Sequence, residues 1–369
     1  MVRKQRSPQK RELPYKRSFR MVTTRSFSDL ALGAQTSYAE LYDMVQAVEQ
    51  ARFNTLRGSF HRRQIKGRTY IYFNFRDADG GGRSVYVGPD SERVQSLIKD
   101  YEHAQVSERI AALSRRAQAC MALGCSSLPE RHFRILQKLA SYGLFRSGAV
   151  LIGAHAFVAL GNMLGISWKA FNEANSALCW RAVQDVCVAL PSDLDLPARE
   201  TLVSLETGNL PIRELSTRAR AQASARGEPG LRIKMLAPIA VAHHMPHLQG
   251  LRPSLAPMNY MEFLLERKTR GVVFAKTGAF AVNLPDPARF AVHKIIGLGE
   301  KSAAPREAEA LDLEQAASLI EWHSQQGRLK HLQDAWREAS SLGADWRRLA
   351  NAGRQALEFH RPIQAAALS

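Results

Sequence analysis

Cysteine is scarce in this 369-residue chain. Cys120, Cys125, Cys179 and Cys187 form no C-x-x-C pair. That spacing excludes a zinc-ribbon site and a disulfide scaffold, and all four read as free thiols of a reducing cytoplasm. A long uncharged apolar run is also missing. The nearest approach, Gly148 to Ile166, holds four glycines, His155 and Asn162. A buried strand followed by a helix explains it better than a membrane span. The N-terminus lacks an apolar segment, so no signal peptide and no membrane association are expected. Acids are the third shortage: 34 Asp and Glu face 51 Lys and Arg, a formal charge of +17. An excess of that size implies a polyanionic partner such as nucleotide phosphates or nucleic acid. The plainer alternative is a basic protein with a basic tail. An apolar fraction of 45% supports real cores and excludes a mostly disordered chain.

Residues 1–27 hold nine Lys or Arg against one acid, Glu12, with Pro8 and Pro14 between them. They read as a disordered basic arm that can neutralise phosphates or simply be solvated. Ser37-x-x-Glu40 has the form of a capping box, with Leu41, Met44, Val45 and Val48 on one face of a helix to about Arg52. Tyr70, Tyr72 and Asn74 then alternate with Ile71, Phe73 and Phe75, the period of a strand. With turns at Lys66-Gly67 and at 77–82, this predicts a three-stranded antiparallel meander over 59–88. His61, Arg62, Arg63, Lys66, Arg68, Arg76 and Arg83 decorate it. Basic residues among aromatics suit nucleic-acid binding, with Arg62, Arg63, Lys66 and Arg68 as candidate contacts. The meander looks somewhat like the small DNA-binding sheets of phage integrases. It reads equally as a sheet with one solvated face and one face packed on a helix. Asp90 or Ser91 caps a long helix through Val94, Leu97, Ile98 and Tyr101 to Leu113, and another runs from about Pro129 to Tyr142.

The centre of the chain is Ala149 to Leu190. A short β-branched run ends at Gly153, a helix-period segment follows, and an alternating run carries Asp185. Strand, glycine turn, helix and acidic strand is a way of building phosphate-handling sites. Beyond it, Leu231 to Leu236 reads as a strand and 260–267 as a short helix. Val272 to Ala275 and Phe280 to Leu284 read as a hairpin around Gly278. Asp286-Pro287 reads as a helix start. Three helices at about 306–325, 328–340 and 345–358 follow.

The blocks SYGLFRSGAVLIGAHAF, SLETG, GLRIKMLAP, NLPDPARFAVHKIIG, LEQAASLIE and ADWRRLANAG, in that order, resemble a bacterial nucleotidyltransferase-like family of the DNA polymerase beta superfamily. The resemblance covers roughly 37–353. It implies an α+β fold: a mixed-sheet nucleotidyltransferase core preceded by the meander and its helices and followed by a C-terminal helical bundle. The expected divisions are a basic arm at 1–27, an N-terminal region at 28–145, the core at 146–300 and a helical region at 301–369.

It also implies nucleotidyl transfer from a nucleoside triphosphate, with two Mg²⁺ ions held by an Asp-x-Asp pair and a third Asp on a neighbouring strand. Carried over by position, Gly153 matches the phosphate-binding glycine, and Ala154 stands where a Ser or Thr is expected. Asp185 matches the first Asp of the pair, Cys187 stands in place of the second, and Lys234 stands in place of the third. Lys294 matches a basic position able to touch a phosphate. Near Asp312 the family often has a Lys just before the Asp, where this chain has Ala310 and Leu311. A thiol is a poor Mg²⁺ ligand, and Lys234 beside Asp185 suits an ion pair that replaces the metals.

Asp193 and Asp195 have the right mutual spacing to compensate but lie about 26 Å along an extended chain from Asp185. Glu206 is another candidate acid, and the alternative for each is a solvated loop. His243, His244 and His247 have ligand chemistry, but Pro246 interrupts the helix that would align them. Two readings follow. One is a nucleotidyltransferase using Mg²⁺. The other is a catalytically silent protein that binds nucleotides or nucleic acid, or regulates a protein partner, and needs no metal.

Overall fold

The computed structural model describes residues 25–51, 58–65, 67–76, 82–103, 106–141, 143–146, 148–171, 179–180, 183, 185–191, 232–238, 255–300 and 307–368. The protein is α+β, with one mixed sheet and two small antiparallel ones among the described residues.

The mixed sheet is built from β5 (Val150–Ile152), β7 (Asp185–Ala189), β8 (Arg232–Pro238), β9 (Leu255–Met258), β10 (Lys268–Ala275) and β11 (Gly278–Pro285). Its order is β10-β11-β5-β7-β8-β9. The hairpin β10–β11 is antiparallel, β11 runs parallel to β5, and β5 is antiparallel to β7. β7, β8 and β9 are mutually parallel. β5 is short, and Asn283 of β11 fixes its entry: the Asn283 amide donates to the carbonyls of Phe145 (2.6 Å) and Ala149 (2.9 Å). β9, which the sequence pattern does not reveal, lies at the sheet edge. It contains Pro257, a residue tolerated there because an edge strand can spare a donor.

Helix α5 (Gly153–Met163) follows β5 directly and is buried over most of its length. Asn162 clamps it to the segment ahead of α4 (Glu130–Ser141) by bonds to the backbone N and O of Ser126 (2.9 and 2.7 Å). Helix α7 (Pro287–Gly299) begins as expected at Asp286, whose carboxylate accepts from the N–H groups of Ala288 and Arg289. A short helix, α6 (Met261–Glu266), precedes the hairpin. The tail contributes α8 (Glu307–Gln325), α9 (Leu329–Ser341), α10 (Ala344–His360) and α11 (Pro362–Ala366). Arg289 joins α6, α7 and α9. It is buried, lies over the Phe263 ring, donates to the Phe263 carbonyl, and pairs with Glu266 and Glu338. Among the described residues no helix is long and apolar enough to cross a membrane.

On the N-terminal side, α1 (Leu32–Ala51) packs beside α3 (Val106–Ala122) on the hairpin. The expected capping box at Ser37 is not a cap. The helix starts five residues earlier, and Ser37 is buried with its hydroxyl 3.3 Å from Cys120 Sγ of α3. Phe27, assigned by composition to the basic arm, is buried against Trp168. It belongs to β1 (Phe27–Asp29), which pairs with β6 (Ile166–Trp168). The meander forms as expected from β2 (Gly58–Ile65), β3 (Arg68–Arg76) and β4 (Gly82–Pro89). The helix expected to run on to Leu113 is two helices, α2 (Glu92–His103) and α3, because each packs elsewhere. Val94 and Ile98 of α2 cover the meander's Ile71, while Leu113, Ala117 and Cys120 of α3 join α1 and the hairpin.

Candidate functional site

Two-residue periodicity builds the site. On β7, Val186 and Val188 point into the core, so Asp185 and Cys187 share the opposite face. On β8, Ile233 and Met235 are likewise buried, which puts Lys234 on that same face. The parallel register places Cys187 directly opposite Lys234. Lys234 Nζ reaches Asp185 Oδ2 at 2.6 Å, with the two side chains 45% and 21% exposed.

Gly153 is next to this pair. The antiparallel register pairs Ile152 with Cys187, and Gly153 turns the chain into α5 with φ +72°, a left-handed value that favours glycine. A Cβ there would point at Cys187, 3.8 Å from its Cβ and 4.0 Å from its Sγ. Ile152 offers no capping side chain and the first turn carries no acid. The helix end therefore contributes positive potential beside Cys187. Ala154 is buried in that turn.

A second ion pair completes the surroundings. Lys294 of α7 is only 6% exposed, and its Nζ lies 2.6 Å from Asp312 Oδ1 of α8. Its ammonium also lies over the Phe290 ring. Burial, with Asp185 next, pushes the Cys187 thiol up to about 12; Lys234 and Lys294 oppose this and Asp312 adds to it. Cys187 is therefore a neutral thiol at physiological pH, within electrostatic reach of two lysines and two carboxylates. Four of the residues singled out in the sequence, Gly153, Asp185, Cys187 and Lys234, thus converge, and Lys294 joins them with Asp312.

Sequence reasoning noted Asp312 only for what precedes it. The signal available was Lys294 itself, a lysine in an apolar helix that must find an acid if buried. A buried histidine pair behind the glycine turn was also missed. His132 Nδ1 and His155 Nε2 are 2.9 Å apart, with Trp180 against both rings. Burial holds His132 down to about 4 and His155 well below the usual imidazole range.

Arg62, Arg63 and Arg68 are exposed on the meander, and none of them is among the charges acting on Cys187. Lys66, Asp193, Asp195, Glu206, His243, His244 and His247 lie outside the described residues. Among the described residues no group of three or more His, Cys, Asp or Glu side chains is arranged to hold a metal ion.

A strand, a left-handed glycine, a helix N-terminus and an acidic neighbouring strand make up the centre of this α+β core. A nucleotidyltransferase family model matches residues 130–341, more than half of the chain and all of these elements. The chain belongs to that nucleotidyltransferase family. No curated protein and no solved structure matches it.

Proposed function

We propose that this nucleotidyltransferase core binds nucleoside triphosphates beside Gly153 and has exchanged two-metal catalysis for ion pairing, leaving a catalytically silent nucleotide-binding protein. The observation that carries this reading is the 2.6 Å pair between Lys234 and Asp185. Nucleotidyl transfer builds charge on phosphate oxygens, and hard divalent cations held by several carboxylates are the usual means of stabilising it. The donor set among the described residues does not fit such ions. It offers two carboxylates, each already bound to an ammonium, and a thiol that stays protonated. What the residues suit is binding: Gly153 lets the backbone approach a phosphate, the α5 N-terminus favours anions, and Lys234 and Lys294 supply positive charge.

One observation favours a second reading. Asp312 brings another carboxylate within electrostatic reach of Cys187. If both lysines turned to a bound triphosphate, Asp185 and Asp312 would each lose that ion pair, and transfer to a nucleic acid, protein or small acceptor would become possible. One experiment separates the readings. Purified protein is incubated with each α-labelled NTP, with Mg²⁺ or Mn²⁺, and with RNA, protein or no added acceptor. The silent reading expects saturable NTP binding without transfer. Label transfer that is lost on Asp312→Asn would establish the second reading instead.

A further inference from the structure

The meander has two unlike faces. Ile71 and Phe73 are buried on one, where Val94 and Ile98 of α2 pack on Ile71. The other carries Tyr70, Tyr72 and Tyr86 as one aromatic platform. The Tyr86 ring centroid is 6.1 Å from that of Tyr70 and 5.5 Å from that of Tyr72. The Arg63 guanidinium lies over the Tyr72 ring, 4.8 Å from its centroid. Strand register adds His61, opposite Tyr72, and Arg68, opposite Ile65, to the same face. Tyr86 is 51% exposed, and Arg63, Arg68 and His61 are exposed as well. Arg62 is sorted away from this platform. It is registered with Ile71 and pairs with Asp90.

Large aromatic rings are expensive to leave in water, and three together mark a binding surface rather than a solvated sheet. The charge around them selects the partner. The three strands contain five arginines and neither Asp nor Glu, and the nearest described acid, Asp90, pairs with Arg62 on the other side of the sheet, so an anionic ligand is favoured. Planar rings flanked by guanidinium groups accept the faces of unpaired bases while arginine neutralises the backbone. A duplex keeps its base faces stacked on one another and cannot offer them.

We infer that the Tyr70–Tyr72–Tyr86 face with Arg63 and Arg68 is a docking surface for single-stranded nucleic acid. It shares no residue with the Gly153 cluster and does not depend on what that cluster does.

The test is fluorescence anisotropy with the full-length chain and labelled 20-nucleotide oligo-U and oligo-dT, beside a 20-base-pair duplex of each type. Single strands should bind more tightly than duplexes at equal salt. Tyr72→Ala with Tyr86→Ala should weaken single-strand binding about tenfold or more, while the corresponding Phe variants bind as wild type. Tyr86→Ala alone, at an exposed position, provides a version that leaves folding intact and should still weaken binding severalfold. Arg63→Ala should reduce the slope of log affinity against log salt by about 0.7. Either strand type satisfies the inference, and a preference for oligo-U would add contact with the ribose 2′-hydroxyl. The inference is overturned if Tyr86→Ala and the double Ala variant, melting as wild type, bind within twofold of it. It is equally overturned if duplexes bind as tightly as single strands, or if no strand binds at low salt.

Discussion

Replacing Lys234 by Asp should convert a cation-repelling site into a cation-binding one. Lys234 Nζ sits 2.6 Å from Asp185 Oδ2, and its side chain is 45% exposed. The pair itself is therefore worth little to folding, roughly 1 kcal/mol or less after solvent screening. Its effect on a divalent cation is larger. An ion held by Asp185 would sit about 4 Å from the ammonium, and a +1/+2 pair at that distance repels by roughly 2 kcal/mol even at the dielectric of water. Lys234→Met removes the repulsion and should tighten Mn²⁺ binding by about thirtyfold. Lys234→Asp replaces it with attraction of similar size, a total of roughly 4 kcal/mol or on the order of a thousandfold. Mn²⁺ titration followed by electron paramagnetic resonance measures all three proteins directly. Thermal melts without metal should place Lys234→Met within a few degrees of wild type. Equal Mn²⁺ affinity in wild type, Lys234→Met and Lys234→Asp would refute the electrostatic reasoning.

Two further outcomes follow from packing and burial. Stability should fall as the pH drops. His132, His293 and His323 are held down to about 4 by burial, so between that value and the usual 6.5 the unfolded chain binds protons that the folded one refuses. A depressed histidine contributes fully above 6.5 and progressively less toward 4, with His132 alone worth about 3 kcal/mol across the window. Urea unfolding at pH 7.5, 6 and 5 should show the decline, and a flat profile would contradict it. The crossing of α7 and α10 should tolerate no side chain at Gly353. A Cβ there would fall on the Ile295 carbonyl oxygen, and one at Gly299 on that of Leu349. Backbone must move in either case, so Gly353→Ala should cost about 2–4 kcal/mol in urea unfolding. A loss below about 0.5 kcal/mol would show that the helices are farther apart than described.

How much of this could be read from the chain depends on the range of the interactions. The strand–glycine–helix unit was legible because a β-branched run, a glycine and a 3.6-residue period are local. A period of two puts Asp185 and Cys187 on one face, whereas Lys234 was placed beside them only by the resemblance to the nucleotidyltransferase family, because inter-strand register is not a local property. Ser37 misled because its local pattern is a capping box, whereas its hydroxyl is claimed by Cys120, 83 residues away. Nothing local could indicate that Lys294 would find Asp312 on the next helix. Phe27 was hidden for a related reason: nine basic residues around it suggest a tail, yet one ring finds Trp168 and becomes core. The meander's strands were evident, but its tyrosine platform needed the register to show which arginine stands over which ring.

The central claim is that the Gly153 cluster holds a triphosphate with lysines in place of metals. Its most direct test is the affinity of the wild-type chain for ATP, GTP, CTP and UTP by isothermal titration calorimetry, in excess EDTA and again in excess Mg²⁺. At least one nucleotide should bind equally well in both, and Gly153→Ala and Lys234→Met should weaken it. Binding that appears only with Mg²⁺, or an affinity in EDTA untouched by both substitutions, would contradict it.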